Sequence, residues 1–281
     1  MATYSEKAEK ATGLQLSDAH FHLGFVSNPV DFAVDAQRAG VPVFAASVTP
    51  SEYRDTKRAL CWAAAPLQPV GDSASIKLAV GLHPWWVFAD ERRLAEVLRA
   101  FDGALPETQY VGEVGLDFSK RRIATRDAQL RAFRHIANAC AKDGGKVLSI
   151  HCVKAYDDVL SILDSSGCFA SCTCIFHWFS GSFQQLEQAA DAGCFFSVGA
   201  RMLETKKGSE YAKAVPLRKL LLETDAPAAI DPEQEHPSVL YSYDQMRLQL
   251  VETLRRLARI RGIGESELAA IVRQNACEVF C

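Results

Sequence analysis

Leu14-Gln15-Leu16-Ser17-Asp18-Ala19-His20-Phe21-His22, closed by Gly24, reads as a short β-strand that runs from apolar alternation into a pair of histidines. Side chains two apart on a strand project to the same face. His20 and His22 therefore point together, with Asp18 in line behind them. Two imidazoles one strand step apart can grip one metal ion, and a nearby carboxylate can orient or supplement them. A bare His-x-His is also common in surface loops, so the motif alone does not separate a metal site from a loop.

Repetition separates them. A β-rich apolar run followed by helical periodicity recurs eight times, with the runs at 14–22, 41–49, 76–83, 109–117, 146–153, 172–179, 194–199 and 219–225. Helical stretches such as 91–100, 126–142, 155–165 and 183–192 lie between them. Strands alternating with helices imply parallel βαβ units, and eight such units predict an α/β fold of the TIM (β/α)8 barrel type. Amphipathic helices over 243–272 are expected to complete the outer ring. A doubly wound open sheet is the competing architecture, but no Gly-rich dinucleotide fingerprint follows the first strand. The 281 residues suit one barrel over 14–281, preceded by a polar, loose arm at 1–13.

The reactive side chains fall at one end of these strands. His20 and His22 end the first and His83 the third. Glu113 lies in the fourth, His151 ends the fifth, His177 the sixth and Asp225 the eighth. Five of the seven histidines thus stand at C-terminal strand ends, where barrel enzymes build their sites. Core histidines satisfied by hydrogen bonds explain any one position, but not the common end. His135, on a helix, and His236, in a Pro-flanked loop, read as incidental.

One zinc site needs about three protein ligands and an open position. His20, His22, His151, His177, Glu113 and Asp225 exceed that number and suit two ions bridged by a carboxylate, with Glu113 as the candidate bridge and His83 as a further candidate. A two-metal centre activates water near neutral pH and clamps the oxygens of a displacement at phosphorus. The mixed nitrogen and oxygen donors are compatible with zinc, manganese or iron, while magnesium favours more oxygen.

Composition narrows the partners. The net charge of −3 gives no global basic field, so any polyanion must be met by metals or local Lys and Arg. Nine scattered cysteines form no CxxC pair and no small disulfide framework. With no signal peptide and no apolar run near transmembrane length, the expectation is reduced thiols in a cytoplasmic protein with no membrane partner.

The order Asp-x-His-x-His, Gly-x-His-Pro, Gly-Glu-x-Gly-Leu-Asp, Ile-His, His-x-Phe-Ser-Gly and Glu-Thr-Asp-x-Pro resembles the TatD family of metal-dependent deoxyribonucleases, from Asp18 to the closing Asn275…Val279-Phe280. Within that family, Phe176-His177-Trp178-Phe179-Ser180-Gly181-Ser182 and Met202-Leu203…Lys206-Lys207-Gly208 are similar to QatD of bacterial Qat anti-phage defence systems, which implies partner proteins of that system. The resemblance implies that His20, His22 and Asp225 hold one metal ion, with Glu113 bridging to a second held by His151 and His177. It implies Asp225 as the group orienting or deprotonating the attacking water, and His83 as a hydrogen-bond donor beside the scissile phosphate. Glu223 suits either a supporting role or a plain inward-facing one, by its strand parity with Asp225, and Asp117, four residues past Glu113, reads as a loop cap rather than a ligand.

One position departs from the family. Where the family often has Arg two residues after the fifth-strand histidine, this chain has Val153, with Lys154 next as a possible substitute for phosphate binding. Arg grips a phosphate with two parallel bonds, whereas Lys offers a point charge. Lys120-Arg121-Arg122, Arg126, Arg201 and Lys206-Lys207 add positive charge on the same face, suited to a nucleic-acid backbone or simply to solvent. Trp85-Trp86 and Trp178-Phe179 flank the mouth, where they can stack bases or fill space.

The leading expectation is a phosphodiesterase acting on DNA, on single strands or ends. The second is an amidohydrolase-like enzyme cutting a C–N or ester bond. Those enzymes often bridge their metals with a modified lysine on the fourth strand, where this chain has Glu113. The third is a partner-gated or vestigial component of a defence assembly, against which the intact ligand set argues.

Overall fold

In the computed structural model, which describes residues 14–62, 75–227 and 238–281, eight parallel strands follow one another in sequence order around a nearly closed barrel. They are β1 (Asp18–Phe21), β2 (Val43–Ala46), β3 (Ile76–Leu82), β4 (Tyr110–Asp117), β5 (Val147–Val153), β6 (Thr173–His177), β7 (Phe195–Val198) and β8 (Leu220–Leu222). The expected TIM barrel is present, with most strands shorter than the apolar runs that announced them. The 1–13 arm and His236 lie outside the described residues. Among the described residues no helix is long and apolar enough to cross a membrane. All nine cysteines are free.

The helices around the strands are α1 (Pro29–Ala39), α2 (Pro50–Trp62), α3 (Glu91–Ala104), α4 (Arg126–Asp143), α5 (Tyr156–Ser166), the short α6 (Cys168–Ser171), α7 (Phe183–Asp191), α8 (Ala200–Leu203), α9 (Lys206–Ala214) and α10 (Tyr243–Arg261), and the chain closes with α11 (Glu265–Phe280). Local sequence starts several of them. Ser182 with Gln185, and Ser242 with Gln245, form reciprocal capping boxes that satisfy the first free amides of α7 and α10.

Strand parity builds the barrel interior in layers. The lowest is apolar and takes residues from every strand: Ala19, Phe44, Ala46, Ala79, Tyr110, Val147, Ile175, Phe195 and Leu221. Two residues further along several strands come Gly81, Ser149, His177, Ser197 and Glu223, and two further again His83, His151 and Asp225. On those strands the period of two thus leads from a dry floor to a polar ceiling, while register shifts in β1 and β4 accompany the placing of His20, His22 and Glu113.

The C-terminal helices do not both join the outer ring. Ala276, Val279 and Phe280 of α11 pack into the apolar floor, so this helix plugs the N-terminal end of the barrel. Buried Asn275 fastens the plug, its Nδ2 donating to Leu217 O at 2.7 Å and Leu220 O at 2.8 Å. Helical periodicity reports an apolar face but not the surface that receives it, which is why the sequence placed this helix outside. Removing the amide takes a buried donor from both carbonyls, so Asn275→Ala is expected to cost about 1–3 kcal/mol in urea unfolding. An unchanged midpoint would show that the plug is held by apolar contact alone.

Closure occurs where the metal-site candidates lie. His22 N donates to Ala226 O at 2.8 Å and Asp225 N to His20 O at 3.0 Å, joining β1 to the segment after β8. Asp18 tightens this seam. Its carboxylate accepts from Thr224 N at 3.1 Å, Thr224 Oγ1 at 2.6 Å and His20 N at 3.0 Å. The acid behind the two histidines therefore clamps strands together and does not face the centre.

Candidate metal centre

Seven of the predicted groups converge, and Glu113 stands in the middle of the other six. Its Oε1 lies 2.7 Å from His151 Nδ1, 2.8 Å from His177 Nε2 and 3.2 Å from His83 Nε2. Its Oε2 lies 3.3 Å from His20 Nε2 and 3.5 Å from His22 Nε2. Asp225 Oδ1 completes the second side, 3.4 Å from His22 Nε2 and 3.9 Å from His20 Nε2. Three groups could each enclose an ion: His20 with His22 and Asp225, His20 with Glu113 and His177, and His83 with Glu113 and His151. The first is the predicted set. The other two divide the predicted second set and draw in His83.

Backbone geometry presents these side chains. Lys154, Trp178 and Asp225, just beyond β5, β6 and β8, adopt φ values of 53°, 40° and 50°. Such left-handed conformations are costly for residues other than glycine and cluster at functional sites. Asp225 stands three residues past the last residue of β8, on the turn rather than on the strand itself.

The surrounding groups decide ring orientation. Trp85 N–H donates to His83 Nδ1 at 3.1 Å, so the neutral ring carries its proton on Nε2 and presents a donor to the centre. His20 Nδ1 meets Ser149 Oγ at 2.7 Å, which turns Nε2 toward Glu113. Asp117 does more than cap its loop. It accepts from Ser119 N at 2.8 Å, and its other oxygen lies 2.6 Å from Trp85 Nε1 and 3.3 Å from His151 Nε2. Glu223 sits behind His177, 4.0 Å from Nδ1, and accepts from Trp178 N at 3.2 Å and from Ser197 Oγ.

Electrostatics separates the groups. Burial holds His20 and His83 down to about 4, which keeps those imidazoles neutral. Burial also opposes charge on His22 and His151, but hydrogen bonds to Asp225 and Asp117, with Glu113 adding its charge, lift both to about 9. For Glu113, burial is outweighed by His83, His177 and His20, and its carboxyl lies well below the ordinary value. Asp225 is likewise lowered against burial, chiefly by His22. Glu223 moves the other way, pushed well above the ordinary value by burial and then by the Asp225 charge.

A buried carboxylate among imidazoles is the donor chemistry that divalent cations require once His22 and His151 give up their protons to the incoming ion, and these residues fit such ions. Adding manganese or zinc to chelator-treated protein is therefore expected to raise its melting temperature. Ligand at a hundred times its Kd contributes about 2.7 kcal/mol. Superimposable melting curves with and without metal would count against the site.

Other candidates sit further out. Lys154 is exposed and lines a cavity of about 400 Å³ with Tyr156, Asp157, Asp158, Ser180 and Gln185. It has no contact with Glu113. Arg201, at the start of α8, reaches closer, with Nη1 3.8 Å from Asp225 Oδ2. Arg122 and Arg126 stack over Trp85 and Phe118, and Lys207 over Tyr211. Trp178 stays partly exposed, but Phe179 is buried against Tyr156, Phe196 and Tyr211 and offers no surface for a base.

One residue was not signalled by any strand-end pattern. Glu52, in the first turn of α2, accepts from Val48 N at 2.9 Å through Oε2. Burial pushes its carboxyl up to about 7, while the Val48 amide and the His22 charge oppose that shift.

The chain matches the family model described as TatD related DNase over residues 17–281. The protein named 3'-5' ssDNA/RNA exonuclease TatD from Salmonella typhimurium is 27% identical over 276 residues, spanning 92% of this chain and 98% of that one. Human deoxyribonuclease TATDN3 is 25% identical over 210 residues, spanning 72% and 73%. The crystal structure of the TatD homologue YJJV from Escherichia coli K12 shares the fold with a TM-score of 0.73 at 22% identity, covering 95% of this chain and 98% of that one.

Proposed function

Because the chain belongs to the TatD-related DNase family, we propose that it is a metal-dependent deoxyribonuclease hydrolysing phosphodiester bonds with two divalent ions that share Glu113. The division of the Glu113 carboxylate carries this reading. One oxygen faces His83, His151 and His177, and the other faces His20 and His22. A bridging carboxylate needs one oxygen toward each ion. His20, His22 and Asp225 would hold the first ion, and His151 and His177 the second. When bound, such ions supply an activated water at neutral pH and a positive clamp for the oxygens around phosphorus.

The protein's own groups do the rest. Asp225 is ionised, buried and turned into the centre, where it orients the attacking water and receives its proton. His83 directs its Nε2–H inward as a donor to a phosphate oxygen, which makes it a substrate group rather than a ligand. Arg201 and Lys154 stand at the rim as phosphate cations, with Arg201 the nearer. Partly exposed Trp85 and Trp178 suit unstacked bases, so single strands or frayed ends are the substrates. The Salmonella relative's name specifies single-stranded DNA or RNA, in keeping with that choice.

Purified protein incubated with 5'- or 3'-labelled single-stranded DNA is expected to shorten it with manganese or magnesium and to leave it intact with chelator. Hydrolysis of amide or ester substrates with none of DNA would replace this reading by the amidohydrolase one.

We place the chain with QatD of the Qat anti-phage systems, on the two stretches around His177 and Lys206. Tyr211 OH donates to Gly181 O, so the stretch after β6 and helix α9 share one side of the mouth, where a partner could gate it. Free cysteines suit the cytoplasm. Co-purification with proteins encoded beside this chain is the expected outcome, and a lone monomer in cells under phage attack would refute the assignment.

A further inference from the structure

We propose that Glu52 is a positioning residue for His22, its free oxygen taking the His22 Nδ1–H in a hydrogen bond, direct or through one water. The inference rests on the reading that His22 Nε2 holds a metal ion. Glu52 is not among the groups that could enclose one, and it comes from α2 rather than from a strand end.

Two observations point to it. Glu52 Oε2 is occupied by the Val48 amide, while Glu52 Oε1 is shut from solvent without a hydrogen-bond partner. His22 Nδ1 is in the same condition, and His22 is fully buried. A donor and an acceptor left unpaired in one buried region each carry a cost that a bond between them removes. Gly24 sets the approach. A Cβ built there would overlap Glu52 Oε1 and lie 2.7 Å from its Cδ, so the turn after β1 admits the carboxylate only because residue 24 has no side chain.

The consequence is chemical. A neutral imidazole carries one proton, and holding it on Nδ1 leaves the Nε2 lone pair for a cation. Carboxylates behind metal-binding histidines fix ring orientation and raise ligand basicity in this way. Glu52 would do so for His22, as Ser149 does for His20.

Glu52→Gln separates positioning from packing. The amide keeps the volume, and its carbonyl can still accept from Val48 N, which turns the NH2 toward Nδ1 and favours the wrong tautomer. Manganese titration followed by the electron-spin resonance of free ion is expected to show one of two sites weakened about 10–100-fold. Metal-free Glu52→Gln is expected to melt with wild type. Wild-type manganese affinity in Glu52→Gln would overturn the inference, including when Glu52→Ala fails to fold. His22→Ala, run alongside, tells which idea has failed. If it retains both ions, the ligand assignment of His22 falls and this inference with it. If it loses one ion while Glu52→Gln binds normally, only the role of Glu52 falls.

Discussion

Glu113→Ala is expected to reduce metal-dependent hydrolysis by at least three orders of magnitude, roughly the contribution of a group that organises transition-state charge. Among the described residues no other carboxylate approaches both sets of imidazoles. Its removal leaves His83, His151 and His177 without their common acceptor, and His20 and His22 with Asp225 alone. Bound metal, measured by elemental analysis, should fall from about two equivalents per chain to one or fewer. Asp225→Ala should remove activity comparably while sparing the second ion, because Asp225 contacts only the His20–His22 side. If Glu113→Ala retained both ions and full activity, the bridge would be wrong and the centre would have to be redrawn.

The second large effect concerns a backbone contact. Gly81→Ala is expected to destabilise the protein by about 3 kcal/mol or more, at the upper end of overpacking costs. A Cβ there would overlap the Ser47 carbonyl oxygen and stand 2.6 Å from Glu113 N. That contact matters because Ser47, just past β2, crosses to β4. Its N–H donates to Gly112 O at 2.8 Å, and its carbonyl accepts from Glu113 N at 2.9 Å. The substitution would push Ser47 away and release the backbone of the residue at the middle of the site. Chemical denaturation should show the loss directly. A variant that folds with native stability but binds metal poorly would place the fault in the site alone. Native stability with native metal binding would show that the crossing has slack.

Much of the centre could be read from one dimension. A strand has a period of two, so an apolar floor residue, a small or polar one and then a histidine or acid announces an inward-facing column. Val147-Leu148-Ser149-Ile150-His151 and Leu221-Leu222-Glu223-Thr224-Asp225 are such columns.

Other features depend on neighbours that periodicity does not name. Asp18 shares its strand with His20 and His22, yet its partner is Thr224, 206 residues away. Phe179 follows a mouth residue but turns into the core, and α11 has an apolar face whose receiver is the barrel floor. Glu52 belongs to a helix, and its nearness to His22 follows from the packing of α2 against the turn after β1.

The amino-acid order by itself determined that this chain closes eight βα units and carries its histidines and acids to one rim, because alternation and strand direction are properties of the local backbone. Only the tertiary structure decided how those groups divide between the two oxygens of Glu113 and which acid clamps β1 to the segment after β8. Those choices depend on the stagger of strands around the closed barrel, a quantity that arises only when distant segments meet.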